Sequence, residues 1–496
     1  MYNSRLEKTT LRFIYFLAAF CIILFLLSTY HRFVTVDDAW FAEQSYWFAH
    51  DGYVHSDLFE GFPIFANQIL VYHKLHIWQG ALAYRLFGWS AYTFKSIPLL
   101  YLILFLGLIY YFLKYLAPVE SRKSIFLIFL FFLFTNHLVF QEGFEYRPEI
   151  MMMCAGFLSY IFLYHAQLRQ DYRYAILAGL LSGIAALFHL NGLIFIAAGG
   201  LLLAINKQNK LILWFGLGSI IGFVPYFFEI SSIEKFKDYL YALDHDPAVS
   251  EEDRTLLGML KKLVFEYRRF THHVYESVYL LVFSITLIGN WKDIIQNQQH
   301  KNLLIYTVLL TVFMALITTG SKTSYLLYSM PYVLLLISIH FTRVLQIKKL
   351  APLFLTFILI YFLANLDRDI GVFKDEKYES PDLYAHIIDK YHIKPGQQIF
   401  APITFIFNEM GKVRIQSYLA YLKKYHNDLE QINLKNVFGD IYRRNKAYAI
   451  LKPNMLKDME FTPHRGKVYE GYQYLGREKN LYIFRRLSNA NGSTQR

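Results

Sequence analysis

The sequence predicts a polytopic α-helical membrane protein of about eleven transmembrane helices with a small C-terminal mixed α/β domain outside the membrane. Three observations carry this. Hydrophobic residues make up 55% of the 496 positions and aromatics 18%, with 45 Phe and 40 Tyr, while charged residues reach only 18%. The charges are clustered, so apolar runs of membrane-spanning length recur along the chain. From about Leu366 onward the runs stop, and Pro381, Pro395-Gly396, Pro402 and Pro453 punctuate what remains.

The first apolar run, Leu11 to Tyr30, is longer than the core of a cleaved signal peptide. No small-x-small cleavage site follows it, so it reads as a retained signal anchor. Hydropathy then places spans near 96–115, 124–140, 149–168, 174–188, 190–205, 211–230, 274–290, 302–319, 324–342 and 350–365. The spans at 174–188 and 190–205 are short and separated only by His189-Leu190-Asn191-Gly192. Met151-Met152-Met153 reads as packing or lipid-facing. Cys21 and Cys154 both fall inside spans, which leaves no disulfide framework.

Loop charges test the topology independently. With the N-terminus in the cytoplasm, Arg5, Lys8 and Arg12 lie inside, as do Lys114, Arg122 and Lys123, then Arg169 and Arg173, then Lys207 and Lys210. Lys292, Lys301, Arg343, Lys348 and Lys349 follow on the same side. Every alternate short loop is basic, as the positive-inside rule requires. The opposite loops and the C-terminal region therefore face outward.

Two outward loops are long. Residues 31–95 include an amphipathic stretch, Asp38 to His50, whose Trp40, Phe41, Trp47 and Phe48 suit a helix lying in the membrane interface. Residues 231–273 hold 8 acidic and 7 basic side chains and read as a structural spacer, with a turn at Asp244-His245-Asp246-Pro247. Division into domains follows: residues 1–365 form the transmembrane part and 366–496 the soluble part. The soluble part carries 22 Lys/Arg against 15 Asp/Glu, most of the chain's +12 net charge. That excess fits either contact with anionic headgroups or ordinary solubility. Short β-type runs fall at Gln398–Phe400, Ala447–Leu451 and Leu481–Phe484, with a helical stretch at Ser417–Tyr425.

Ionisable residues beside spans are functional candidates, because burying them costs free energy unless they have a partner or a task. On the outward side they recur: Asp37, Asp38 and Glu43; His73, Lys74 and His76; Arg85 and Lys95; Glu142, Glu145, Arg147 and Glu149; His189; and Lys322. Cytoplasmic loops hold basic residues without comparable acids. Carboxylates mixed with cations on one face fit two jobs, holding a lipid-linked phosphate and accepting a proton from a nucleophile. The bland readings are specific too. Asp37 is a good helix N-cap, Lys74 and Lys322 can snorkel to headgroups, and Arg147 and Glu149 can pair with each other. The histidines match no recognised metal-ligand spacing. Asn491-Gly492-Ser493 formally matches a glycosylation sequon.

Four stretches carry a resemblance. Asp37-Asp38-Ala39-Trp40-Phe41-Ala42-Glu43 resembles the Asp-Glu-Ala-x-Tyr-Ala-Glu motif in the first outward loop of GT-C glycosyltransferases, by pattern the protein O-mannosyltransferases and bacterial aminoarabinose transferases. His73-Lys74-Leu75-His76-Ile77-Trp78, with Leu86-Phe87-Gly88-Trp89-Ser90, is similar to their Lys-Pro-Pro-Leu-x-x-Trp and Leu-Phe-Gly-x-Ser elements. Glu145-Tyr146-Arg147-Pro148-Glu149 resembles an Arg-Pro-Asp element that opens a span. Ser321-Lys322-Thr323-Ser324-Tyr325-Leu326-Leu327 with Pro331 is similar to a late Lys-x-x-x-Tyr-Leu-Leu-Pro pattern. The likeness covers roughly residues 10–345. This chain departs from it in lacking both prolines of the second element, where Leu75 and His76 stand, and in carrying Lys95 where Arg is common.

The resemblance implies an inverting transfer of sugar from a polyprenyl-phosphate donor on the outer face of a membrane, in a bacterium the periplasmic face of the inner membrane. It implies Asp37 as general base, with Asp38 beside it in the catalytic pair. Asp38, Glu43 and Glu149 would orient the acceptor, raise the base's proton affinity or hold a divalent ion. Lys74 and Lys322 would stabilise charge on the departing phosphate, and Arg147, His189 and Tyr325 would complete the substrate site. Expected partners are membrane lipids, the lipid-phosphate sugar and a glycan, lipid or protein acceptor, with no nucleic acid. The rival reading is a transporter or flippase of lipid-linked saccharides, and a third is a non-catalytic scaffold. A transporter needs charges along a path through the membrane, whereas these acids gather on one face.

Overall fold

The computed structural model describes residues 2–62, 67–245, 255–318, 322–374, 381–425 and 428–487. The end of the expected turn at 244–247, Ser321 and the sequon at 491–493 lie outside them. Contacts divide the chain into two compact units. One comprises Met1–Arg32, Tyr72–His76 and Lys95–Lys374, the other Phe33–Val71, Ile77–Phe94 and Asp375–Arg496. Most of the first long loop thus belongs to the same unit as the C-terminal segment.

The first unit is helical. Among the described residues, six of its helices are long and apolar enough to cross a membrane: Glu7–Ser28, Ala91–Leu116, Glu149–Arg169, Asn209–Phe227, Val274–Gln296 and Gln298–Ile317. Shorter apolar helices occupy Tyr172–Phe188, Leu190–Ile205 and Met330–Gln346. Helices at Val119–Thr135 and Ala351–Lys374 coincide with two further expected spans. The first of these stops early for a local reason. Asn136 leaves the helical region at ψ 120° and its side chain accepts from Leu138 N, capping a separate short helix, His137–Glu142.

Small residues bring two of the helices together. Tyr172–Phe188 packs on Asn209–Phe223 through Gly179 and Gly183 on one side and Gly218 and Gly222 on the other. A Cβ at Gly179 would stand 2.0 Å from the Phe215 carbonyl oxygen, and one at Gly218 would stand 2.2 Å from that of Ile176. This is the small-x-x-x-small solution to packing where lipid offers no hydrophobic drive. Met151, Met152 and Met153 are buried, so packing is their role. Cys21 and Cys154 are free and buried.

The second unit is built on a six-stranded mixed sheet. Its strands are β1 (Gln398–Ala401), β2 (Arg414–Ser417), β3 (Tyr448–Leu451), β4 (Val468–Tyr469), β5 (Tyr472–Glu478) and β6 (Leu481–Arg486), in the order β2-β1-β3-β6-β5-β4. β1 runs parallel to β2 and β3, and the remaining pairs are antiparallel. The period-two alternation of strands sorts side chains onto two faces. Ile399, Ile415, Ile450 and Ile483 pack on one side, and Phe400, Ala449, Leu451 and Phe484 on the other. Both faces are therefore covered.

Val34, Leu58, Phe59 and Phe62 of the first loop belong to the isoleucine face. The loop is also tied to the outer strand β2, where Ser417 N donates to Leu58 O at 2.8 Å and Gln416 Nε2 to Glu60 O at 2.9 Å. Buried Lys446 pairs with Glu60. The stretch expected as an interfacial helix forms a helix over Val36–Asp51, but Asp38, Ala39, Phe41, Ala42, Glu43, Gln44, Ser45 and Ala49 are buried. Its inward side mixes polar and apolar groups, so it serves as part of this unit's core.

Candidate active site

The Asp37–Glu43 stretch occupies the first two turns of the helix Val36–Asp51. Its N-cap is Thr35, which corrects the alternative reading of Asp37 as the cap. Thr35 Oγ1 accepts from Asp38 N at 3.2 Å, and the Asp38 carboxylate accepts from Thr35 N at 2.9 Å. This reciprocal capping box occupies Asp38 and leaves it 0% exposed. Asp37, one position earlier, is only partly buried. Of the adjacent acids, Asp37 is the more accessible.

Glu43 faces the other way. Its carboxylate accepts from Ser56 Oγ at 2.5 Å, Asp57 N at 2.7 Å, Leu58 N at 3.0 Å and Trp47 Nε1 at 3.3 Å. It thereby fixes the 56–58 turn. Burial pushes this carboxyl up to about 8, against the pull of Ser56 and Leu58. Glu43 also lines a cavity of about 250 Å³ with Tyr46, Trp47, Asp57, Met410 and Arg414.

Within the helical unit, eight predicted positions converge. Arg147 is held in a fork by Glu149, with Nη2 to Oε1 at 2.6 Å and Nε to Oε2 at 3.2 Å, and its Nε also lies 3.2 Å from Glu142. The imidazole of His73 stacks on that of His189, with centroids 4.3 Å apart and planes at 22°. His76 packs on Tyr146 at 4.1 Å, and Tyr325 meets His189 edge-on at 6.3 Å. Lys322 is exposed, and its charge acts on His73 and His189. Burial is the main reason the rings stay neutral, holding His73 and His76 well below the ordinary imidazole value. For His189, at about 3, the fields of Arg147 and Lys322 add to burial. The result is two cations, one of them paired with Glu149 and Glu142, beside three neutral rings able to offer N–H donors.

Lys74 is engaged elsewhere. Its Nζ donates to Glu229 Oε2 at 2.8 Å and sits over the Tyr72 ring at 3.8 Å. Tyr72 hydroxyl donates to the same carboxylate through Oε1. Burial draws the lysine down to about 8, and Glu229 opposes that shift. Arg269, 1% exposed, braces the Lys322 loop by donating to the Lys322 carbonyl at 2.5 Å and to Thr318 Oγ1 at 3.0 Å. It also lies 5.3 Å from the Tyr325 ring centre.

Glu229 and Arg269 were absent from the sequence-derived set. Both stand just outside apolar runs, Glu229 after Asn209–Phe227 and Arg269 before Val274–Gln296. The same juxtamembrane signal that singled out Asp37 was available for them. Placing Glu229 inside the expected span 211–230 hid it there, and reading residues 231–273 as a spacer hid it for Arg269. Among the described residues, no group of three or more His, Cys, Asp or Glu side chains is placed to hold a metal ion.

Together these features describe a polytopic helical membrane protein with ionisable groups clustered beside its apolar helices. Solved structures bear out the fold. ArnT from Cupriavidus metallidurans bound to undecaprenyl phosphate superposes with a TM-score of 0.58 at 12% identity, over 97% of this chain and 99% of that one. The same enzyme in the apo state gives 0.59 at 12% identity, over 98% and 100%. The Archaeoglobus fulgidus oligosaccharyltransferase tethered to an acceptor peptide with the NVT sequon gives 0.51 at 9% identity, over 89% and 69%. No protein-family model matches the sequence, and no curated protein matches it.

Proposed function

We propose that the protein is an inverting membrane glycosyltransferase. It moves a sugar from a polyprenyl-phosphate donor to a glycan, lipid or protein acceptor on the periplasmic face of a bacterial inner membrane. The observation that carries the reading is the cluster in which Arg147 and Lys322 act on the neutral rings of His189 and His73. An anion entering there meets the Lys322 charge, N–H donors and an Arg147 guanidinium that Glu149 and Glu142 partly balance, the kind of donor set that can stabilise a departing phosphate. The GT-C fold shared with an enzyme whose structure holds undecaprenyl phosphate supports the same reading.

In this reaction Asp37 removes the proton of the acceptor hydroxyl. The acceptor oxygen attacks the anomeric carbon as the bond from that carbon to the phosphate oxygen breaks, and the electron pair leaves on the phosphate. Asp38, whose carboxylate closes the capping box, fixes the backbone that presents Asp37. Glu43 holds the neighbouring turn. Lys322, Arg147, His189 and Tyr325 receive the donor phosphate, Glu149 orients Arg147, and Lys74 adds a cation.

The test uses purified Asp37→Asn with undecaprenyl-phosphate sugars and candidate acceptors. Loss of a general base is expected to slow transfer by about 10²–10⁴-fold, with donor binding retained. Transfer at the wild-type rate would remove Asp37 from the mechanism.

A further inference from the structure

Lys74 is 1% exposed, and a buried ammonium is stable only with a counter-charge. Glu229 supplies it, at 2.8 Å and with 16% side-chain exposure. The pair is thus asymmetric: the lysine is sealed and the acid has an edge in solvent. The groups facing Lys74 are Glu229 and the rings of Tyr72 and Tyr226, at 3.8 and 5.6 Å. Tyr226 in turn packs against Tyr239 and Phe227.

We propose that Glu229 is an exchangeable counter-ion, a positioning residue that keeps Lys74 charged and placed until a phosphate anion takes over the ammonium. The proposal rests on the donor-phosphate reading above and adds to it a residue and an order of events. A phosphate brought beside an intact Lys74–Glu229 pair would put two negative charges against one buried positive one. Like charges in close contact are strongly disfavoured where water is scarce. Exchange avoids this. The Lys74–Glu229 hydrogen bond breaks, a Lys74–phosphate hydrogen bond forms, and the carboxylate rotates toward solvent with its charge intact. Tyr72, which donates to Glu229, is positioned to release it or follow it.

The exchange has a consequence that a merely structural acid would not show. Glu229 raises the proton affinity of Lys74 while burial lowers it. Replacing the acid with its neutral isostere should therefore move the lysine's titration downward, while relieving the phosphate of a competitor at pH values where the ammonium stays charged.

The experiment uses the full chain in detergent micelles and follows Lys74 by acetic anhydride labelling with mass spectrometry, from pH 5 to 10. Wild-type labelling should have its midpoint near 8, and undecaprenyl phosphate should protect the residue. In Glu229→Gln the midpoint should fall by about one unit or more. Undecaprenyl phosphate should bind several-fold more tightly at the acidic end of the range. Glu229→Asp, which keeps the charge, should behave as wild type and controls for folding. If undecaprenyl phosphate protects Lys74 in wild type but Glu229→Gln changes neither midpoint nor affinity, the exchange is overturned and the donor-phosphate reading stands. If undecaprenyl phosphate binds neither protein, that reading fails and the exchange fails with it.

Discussion

His73 and His189 stack face to face at 4.3 Å although they come from loops far apart in the chain. The contact joins the loop ahead of the helix Lys74–Phe87 to the turn between Tyr172–Phe188 and Leu190–Gly192. Two imidazoles so close cannot both be charged without repulsion, and burial, with the fields of Arg147 and Lys322, holds His189 near 3. An unfolded imidazole titrates near 6.5, so between about 6.5 and 3 the unfolded chain binds more protons than the folded one. Stability should therefore rise with pH across that window. Thermal unfolding in detergent should show a lower Tm at pH 5 than at pH 7, and His189→Gln should flatten the dependence. An equal slope in wild type and variant would place the origin of the pH effect elsewhere.

The proposed anion site adds a second pH effect of opposite sign. A bound phosphate would offset the positive field that depresses the two rings and favour their protonation. Affinity for undecaprenyl phosphate, measured by calorimetry, should then strengthen from pH 7.5 to pH 5.5. In Lys322→Gln the affinity should drop about tenfold or more, the scale of one charge-assisted hydrogen bond. Unchanged affinity in that variant would take Lys322 out of the phosphate site.

The Glu43 carboxyl is ringed by hydrogen-bond donors. Ser56, Asp57 N, Leu58 N and Trp47 present four N–H or O–H groups to two oxygens. Above about pH 8, where the carboxyl is ionised, Glu43→Gln puts an amide NH₂ against some of those donors and leaves them unmatched. The expected cost is about 1–3 kcal/mol of stability for each buried donor left unsatisfied. Denaturant unfolding followed by tryptophan emission would measure it. The pH sign follows from a carboxyl raised to about 8. Its contribution is fully present below the unfolded value near 4.5 and is lost as pH rises through 8, so wild type should lose stability over that span while Glu43→Gln should not.

Arg269 offers a structural test of the late motif. The guanidinium is bound by Glu266 at 2.6 Å and braces the Lys322 carbonyl. Arg269→Gln leaves the Glu266 carboxylate buried without its partner, a change expected to cost about 3–5 kcal/mol. Arg269→Gln with Glu266→Gln removes both charges and should recover much of that loss. If the double variant is no more stable than the single one, the pair does not act as a unit.

The spans were legible because lipid demands long apolar runs, and the ionic site was legible because charge beside such runs is costly. Arg147, His189, Lys322 and Tyr325 could each be singled out for that reason or by motif. The partner of Lys74 was not, because a pairing between Lys74 and Glu229 leaves no local periodicity to read. Likewise Leu58 and Ser417 are joined by a backbone hydrogen bond that no spacing announces. The soluble sheet was half visible. β1, β3 and β6 are apolar runs, whereas β2 reads Arg-Ile-Gln-Ser and β4 has two residues. β5 was disguised by Gly476, where its register against β6 shifts.

The short helices around His189 were the hardest spans to define, and the first of them is held by close packing on a later span. Tyr172–Phe188 and Asn209–Phe223 approach until backbone touches backbone at Gly179, Gly183, Gly218 and Gly222. Ser182 and Ser219 hydroxyls lie 3.2 Å apart in the same seam. A methyl at Gly179 has no flexible neighbour to displace, since the atom it meets at 2.0 Å is the Phe215 carbonyl oxygen. Gly179→Ala should therefore force the helices apart and disturb the turn that presents His189, although Gly179 is remote from the proposed chemistry. Gly200, whose added Cβ would meet nothing within 4 Å, is the matched control. Gly200→Ala should leave Tm unchanged or raised by the better helix propensity of alanine, about 1 kcal/mol at most. Gly179→Ala should lower Tm and weaken undecaprenyl phosphate binding together. If it lowers neither, the seam is not the element that holds His189 in place.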